Sequence, residues 1–417
     1  MKIAVIGAGI IGITTAYELA SDGHQVHVIE RRGAAAEESS FANAGVIAPG
    51  YVTPWAAPGM PLKVCRYLFS DHSPVRLSLP LSARDFQWMR HWYRACTLDR
   101  YRTSRRHMHS LALYSLDRLH QISSRLSLSY DKSAGYLILL RSEADSLQVQ
   151  AGLDLLRETP VNFREISAAE ARKVEPALRA DQEFFGAIHL PQDEVGNCRQ
   201  FALQLKNESM KLGVDFSFNT AVSQIHPTEG VKLAIAGDPE LRSYDACVVC
   251  AGSDSAMLLG NLGLAIRLAP IHGYSVSATI QEPLNAPKSA VMDERFKVAI
   301  SRLGNRIRVA GGAELGGLPG KKRVAAIRTL YKVLQDWFPG AANLSSGVQE
   351  WKGARPMLPD GPPLIGATQM PHLWLNLGHG SSGWALSCGS ARVLADMIAG
   401  KVPAVDASGF DLSRIQH

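Results

Sequence analysis

Two kinds of hydrophobic run alternate along the chain. The first kind is short and uninterrupted: Lys2-Ile3-Ala4-Val5-Ile6, Gln25-Val26-His27-Val28-Ile29, the stretch 245–251, and Leu373-Trp374-Leu375-Asn376-Leu377. Such runs lack the in-out alternation of a half-exposed strand and predict strands covered on both faces, as in a parallel sheet. The second kind is longer and predicts helices over 13–21, 196–212 and 384–399. Strand-like segments also appear at 135–140, 214–218, 221–225, 298–301 and 306–310, the last two reading as parts of an antiparallel sheet. The pattern predicts an α/β chain: one domain on a parallel sheet, and a second, α+β domain built on an antiparallel or mixed sheet.

The first strand leads straight into Gly7-Ala8-Gly9-Ile10-Ile11-Gly12, the first helix ends at Gly23, and the second strand ends in Glu30. Each part has a mechanical role. Gly7 permits the tight turn, Gly9 lets a pyrophosphate approach the backbone, and Gly12 lets helix and strand pack closely. The helix start at Ile10 and Ile11 offers free N–H groups and partial positive charge to phosphate. Glu30, 18 residues beyond Gly12, stands where a carboxylate accepts bonds from a ribose diol, with Arg31 beside it. The arrangement is a Rossmann-like dinucleotide-binding unit.

Nicotinamide and flavin dinucleotides share this fingerprint, so the choice rests on other segments. Ser39-Ser40-Phe41-Ala42-Asn43-Ala44-Gly45 is small and polar, suited to passing close beneath a flat ring. A further strand–turn unit ends at Ala251-Gly252, and Gly378-His379-Gly380-Ser381-Ser382-Gly383 opens the last helix. A helix start there suits the edge of a reduced isoalloxazine, where negative charge gathers. A cofactor domain assembled from both chain ends is a flavoprotein pattern.

On these residues the sequence resembles the D-amino-acid oxidase superfamily of FAD-dependent oxidoreductases, and within it the D-amino-acid dehydrogenase (small subunit) branch. The matching segments are 5–12, 40–45, Pro49-Gly50-Tyr51, 54–59, His272-Gly273-Tyr274-Ser275, 355–361 and Gly378-His379-Gly380. The resemblance implies hydride transfer from a substrate Cα to flavin N5, giving an imine that hydrolyses to a 2-oxo acid and ammonia. It also implies that Val46 joins the ring-facing loop and that Val222 presents its backbone to the adenine. Cysteine is missing from 356–363, so the FAD is expected to be held non-covalently.

Such chemistry needs a cation for the substrate carboxylate. Arg355, between a strand-like 348–351 and a Pro- and Gly-rich turn, can serve as a carboxylate clamp or a surface ion-pair partner; the family pattern at 355–361 implies the clamp. Tyr274, at the expected start of a long strand, Tyr51 and His379 complete the catalytic candidates, each with an equal reading as a packing residue. Val46 and His272 stand where the branch usually carries glutamine and lysine. D-Alanine-like specificity is therefore not transferred, and oxidation of glycine, sarcosine or a D-proline-type imino acid by oxygen is the alternative. A non-catalytic flavin subunit is a third reading.

The two domains are expected to be discontinuous: 1–50, 191–262 and 346–417 for FAD, 51–190 and 263–345 for substrate. Composition adds little to this picture. Across 417 residues, Lys and Arg exceed Asp and Glu by 44 to 38, a mild excess that argues against a nucleic-acid binder. No apolar run reaches the roughly 18 residues of a membrane-spanning helix. Six cysteines in a chain of this length give no disulfide framework. Cys247 and Cys250 fall within a buried-strand pattern, metal-ligand spacing is lacking, and a cytoplasmic location is expected. Between residues 84 and 125, nine arginines stand against three aspartates, interleaved with Trp88, Trp92, Tyr93 and Tyr101. That stretch reads either as a solvated helix face or as a peripheral contact with anionic lipid, the second suiting electron delivery to a membrane quinone.

Overall fold

The computed structural model describes residues 1–67, 72–318 and 320–415. Its first sheet has six strands, in the order β18 (Leu364–Ala367), β19 (Leu373–Leu377), β12 (Ala246–Val249), β1 (Lys2–Ile6), β2 (Gln25–Ile29) and β8 (Asp215–Ser217). All pairings are parallel except β18 with β19. The strands at its centre thus come from residues 2–6, 246–249 and 373–377, and their apolar runs are buried as expected.

Ten α-helices surround the sheets: α1 (Ile10–Ser21), α2 (Met60–Tyr67), α3 (Ala83–Ala95), α4 (Leu98–Leu126), α5 (Glu143–Arg157), α6 (Ala168–Val174), α7 (Cys198–Lys211), α8 (Ser255–Gly260), α9 (Val324–Trp337) and α10 (Gly383–Ile398) among the described residues. One face of the six-stranded sheet is covered by α1, α7 and α10, with α4 behind α10. Its other face packs on a small antiparallel sheet of β9 (Val222–Pro227), β10 (Val231–Ile235) and β11 (Leu241–Tyr244).

The second large sheet is mixed and runs β17 (Gln349–Met357), β13 (Ala269–Thr279), β16 (Arg306–Gly316), β15 (Val298–Leu303), β14 (Ala290–Asp293), β5 (Ser133–Leu140), β7 (Gly186–Val195) and β3 (Val46–Ile47). To this path β4 (Val75–Ser78) adds on β16 and β6 (Arg164–Ser167) on β7. Alternation sorts its residues: Val276, Ala278, Ile307 and Val309 pack with Trp337 of α9 on the outer face, leaving the inner face toward the six-stranded sheet. Two strands bear on the expected division of the chain. β7 passes unbroken through 190–191, and β17, assigned by sequence to the cofactor portion, belongs to this mixed sheet.

The arginine-rich stretch is only partly a surface. Trp88 is buried and donates from its indole to the Met357 carbonyl at 2.9 Å, with Trp92 stacked on it. Arg105 is buried, and Arg118 grips the fully buried Glu18 at 2.6 Å. Facing outward on α3 are Phe86 and Tyr93, beside Arg84, Arg90 and Arg94. No helix among the described residues is long and apolar enough to cross a membrane.

Candidate active site

A cavity of about 1290 Å³ runs between the two large sheets, more than a single drug-sized ligand requires. One end is the β1–α1 turn. Gly7 has φ +106°, and a Cβ on it would stand 2.6 Å from the Cys250 carbonyl oxygen. A Cβ on Gly12 would stand 1.9 Å from the Gly7 oxygen, so helix and strand meet there in direct backbone contact. Gly9 differs: its missing Cβ would meet nothing nearer than Ser40 Oγ at 3.5 Å, and it lines the cavity. The three roles read from spacing are thus three distinct geometries.

Glu30, at the tip of β2, accepts from the Ala8 N–H at 2.7 Å and the Arg32 N–H at 2.8 Å, which fixes its carboxylate against the glycine turn. Arg31 is held by Asp254 and Glu38. Ser40 Oγ accepts from the Ile10 N–H at 3.0 Å, so it caps α1 from a distant loop. Ile10, Ile11, Ser39, Val222, Ala251 and Gly252 also line this portion, while Gly12 lies beneath it.

Further along, the loop at Asn43, Ala44 and Gly45 is clamped from the mixed sheet. Asn43 Oδ1 accepts from the Gly45 N–H at 3.0 Å. Ser301 donates to the Ala44 carbonyl at 2.7 Å, and Arg308 to the Asn43 carbonyl at 3.0 Å. Burial pushes the Arg308 guanidinium down to about 10, leaving it charged at neutral pH. Opposite stand Gly378 and Gly380, both at positive φ, with Ser381, Ser382 and Gly383 leading into α10. Val46 of β3 lines the same space.

Two buried polar atoms here have no partner among the described residues: His379 Nε2 and Asn376 Oδ1. Buried polar groups are nearly always bonded, so these atoms mark where a bound molecule is expected to supply partners. Burial holds the His379 imidazole down to about 3, so it is neutral in the physiological range. The open backbone at Gly9, the acid at the second strand and the two orphaned atoms together fit FAD laid along the cavity.

The substrate candidates divide sharply. Arg355 lies within β17, which extends beyond the strand-like 348–351 to Met357, and is paired with Ile271 of β13. Its Nη1 donates to the Gly312 carbonyl at 2.7 Å, and its guanidinium lies on Gly273, where a Cβ would be 2.4 Å from Nη2. Trp55 flanks it at 5.9 Å. Among the described residues no carboxylate pairs with it, and burial alone moves it down to about 10. It is a charged, cavity-facing group without a counterion.

Tyr274 directly follows Gly273 but is differently employed. Its ring joins the cluster with Val276 and Trp337, and its hydroxyl donates to buried Glu314, which also pairs with Lys352 at 3.3 Å. Tyr274 nonetheless lines the cavity, with its hydroxyl engaged by Glu314. Tyr51 lines the cavity too, and its hydroxyl donates to Glu294 at 2.8 Å and accepts from Lys297 at 3.0 Å. Glu294, Lys297, Lys63, Trp55, Trp351 and Asn376 all line the cavity and were not singled out from sequence. Trp55, Trp351 and Asn376 stood in segments read for other reasons; Glu294, Lys297 and Lys63 carry no local motif.

The family described as FAD dependent oxidoreductase (DAO) matches residues 2–397. A D-amino acid dehydrogenase of Bradyrhizobium diazoefficiens is 42% identical over 420 residues, covering 100% of this chain and 99% of that protein. Among solved structures, glycine oxidase from Geobacillus kaustophilus aligns with a TM-score of 0.76 at 20% identity, over 100% of this chain and 98% of that one. L-proline dehydrogenase from P. horikoshii aligns at 0.75 and 16% identity, over 100% and 97%. At such identities the two structures speak for the fold.

Proposed function

The chain belongs to the DAO family of FAD-dependent oxidoreductases, and from that premise we propose that it is a dehydrogenase of D-amino acids, yielding 2-oxo acids and ammonia. Bound FAD supplies the acceptor for the hydrogen and electron pair that leave the substrate Cα. The chain's own residues hold, orient and shield the substrate. Arg355 carries the reading: a cation without a counterion, stiffened by strand, glycine and tryptophan, suited to gripping a carboxylate with two parallel bonds. Gly311, Gly312, Ala313 and Gly353 keep the neighbouring floor low, while Trp55 and Trp351 wall it from water. His379, being neutral, offers a hydrogen bond without adding charge.

Preference for the D-configuration is supported by the 42% identical relative. Non-covalent flavin binding is supported by Cys388, which lies buried within α10. Electron transfer onward to a membrane quinone, from a protein resting on the cytoplasmic side, is supported by the basic and aromatic outer face of α3. Anaerobic mixing with paired D- and L-amino acids tests the substrate reading: bleaching by D-isomers supports it, and bleaching by L-isomers alone overturns it. Stoichiometric peroxide under air would instead favour an oxidase.

A further inference from the structure

Arg355 stands on β17, and Lys297 immediately precedes β15. Three strand steps separate their backbones, about 14 Å at ordinary spacing, and the Arg355 guanidinium spans part of that distance by reaching Gly312 of β16. The floor between is low: Gly312, Gly311, Ala310 and Ala299 all line the cavity. At the Lys297 end the cavity adjoins a recess of about 270 Å³, and Lys63, Tyr67, Gln148 and Glu294 line both spaces.

The charges at this end do not balance. Glu294 is shared by the Tyr51 hydroxyl and the Lys297 ammonium. Asp145, in the recess, is taken by Arg295 at 2.7 Å. Lys63 is left over: among the described residues it has no ion-pair partner, and its ammonium lies 5.7 Å from the Tyr67 ring centre. Around Lys63 itself, two ammonium groups therefore face the main cavity against one carboxylate, Glu294. Asp154, Glu158 and Arg102 line the same cavity farther along, at the end of α5 and on α4, with Asp154 already paired with Arg157. Partial burial lowers the Lys63 ammonium below its ordinary range, a cost that an incoming anion would relieve. A substrate with a short apolar side chain leaves that charge uncompensated.

Resting on the proposed oxidation of D-amino acids, we infer that Lys63 and Lys297 receive a second carboxylate at the end of the substrate side chain. The preferred substrates are then extended α-amino dicarboxylates of glutamate length or longer, pinned at one end by Arg355.

The test compares kcat/KM for D-glutamate and D-glutamine, which differ in charge but hardly in shape. The expected result is a preference for D-glutamate of about five- to tenfold, the scale of a partly shielded ion pair. That ratio should fall toward one in Lys63→Met and return in Lys63→Arg. Binding of pentanedioate against butanoate, read from perturbation of the flavin absorbance, should show the same preference without any turnover. Equal use of the two amino acids, or a ratio that survives in Lys63→Met, overturns the inference, as does equal binding of the two acids. Failure of every amino acid to bleach the flavin removes the dehydrogenase reading instead, while the pentanedioate comparison still decides whether the recess prefers a second carboxylate.

Discussion

Gly273 decides where the Arg355 guanidinium rests, since a Cβ there would stand 2.4 Å from Nη2. Gly273→Ala should displace that group and raise KM for amino acids by roughly tenfold or more, with FAD content retained, because 1 Å of misplacement is costly. Unchanged KM would show that Arg355 does not hold the substrate. Asp193 offers a second residue-scale test. It is buried, Oδ2 has no partner among the described residues, and burial raises its carboxyl to about 7 from an ordinary 3.8. Between those values the folded state keeps a proton that the unfolded state releases, so stability falls as pH rises through this window. Asp193→Asn should therefore raise Tm more at pH 8 than at pH 5, by on the order of a few degrees. An equal change at both pH values would contradict the assignment.

At the scale of elements, the strand–turn–helix at the N-terminus separates folding from binding. Gly12→Ala forces a Cβ into the Gly7 carbonyl and should destabilise even the apoprotein by about 2 kcal/mol or more. Gly9→Ala meets only Ser40 Oγ, at an ordinary contact distance of 3.5 Å, so the apoprotein should melt near the parent temperature while FAD affinity drops. Thermal melts with and without FAD distinguish the two variants; equal apoprotein losses would refute the division of roles. This unit was legible from sequence because strand, glycines, helix and acid follow one another within thirty residues. β17 was less so. Its Pro356 suggested a turn, yet the strand continues to Met357 at the edge of the sheet, where a missing N–H is tolerated. The surroundings of Tyr274 were unreadable for a related reason: a strand can be recognised locally, but which face each residue takes depends on the partner strands.

For the whole molecule, two sheets face each other across one cavity, and the cofactor end was far more readable than the substrate end. Glycines at fixed spacing announce the first. Lys63, Glu294 and Lys297 are scattered charges that only the mixed sheet brings together, and no local spacing marks them. The surface repeats the lesson: of the aromatics between 84 and 125, Trp88 is buried and Trp92 stacks on it, while Tyr93 remains strongly exposed. The outer face of α3 still predicts salt-sensitive pelleting with anionic vesicles, reduced by replacing Phe86 and Tyr93 with serine. Pelleting unaffected by those changes would place any lipid contact elsewhere. The central claim is tested most directly by anaerobic spectra of the flavin-loaded enzyme and its Arg355→Ala variant, mixed with matched D- and L-amino acids. The account predicts bleaching of the parent by D-isomers and a rightward shift of the variant's concentration dependence by a few kcal/mol, about a hundredfold. Bleaching by L-isomers alone, or a variant that binds D-amino acids as the parent does, would contradict it.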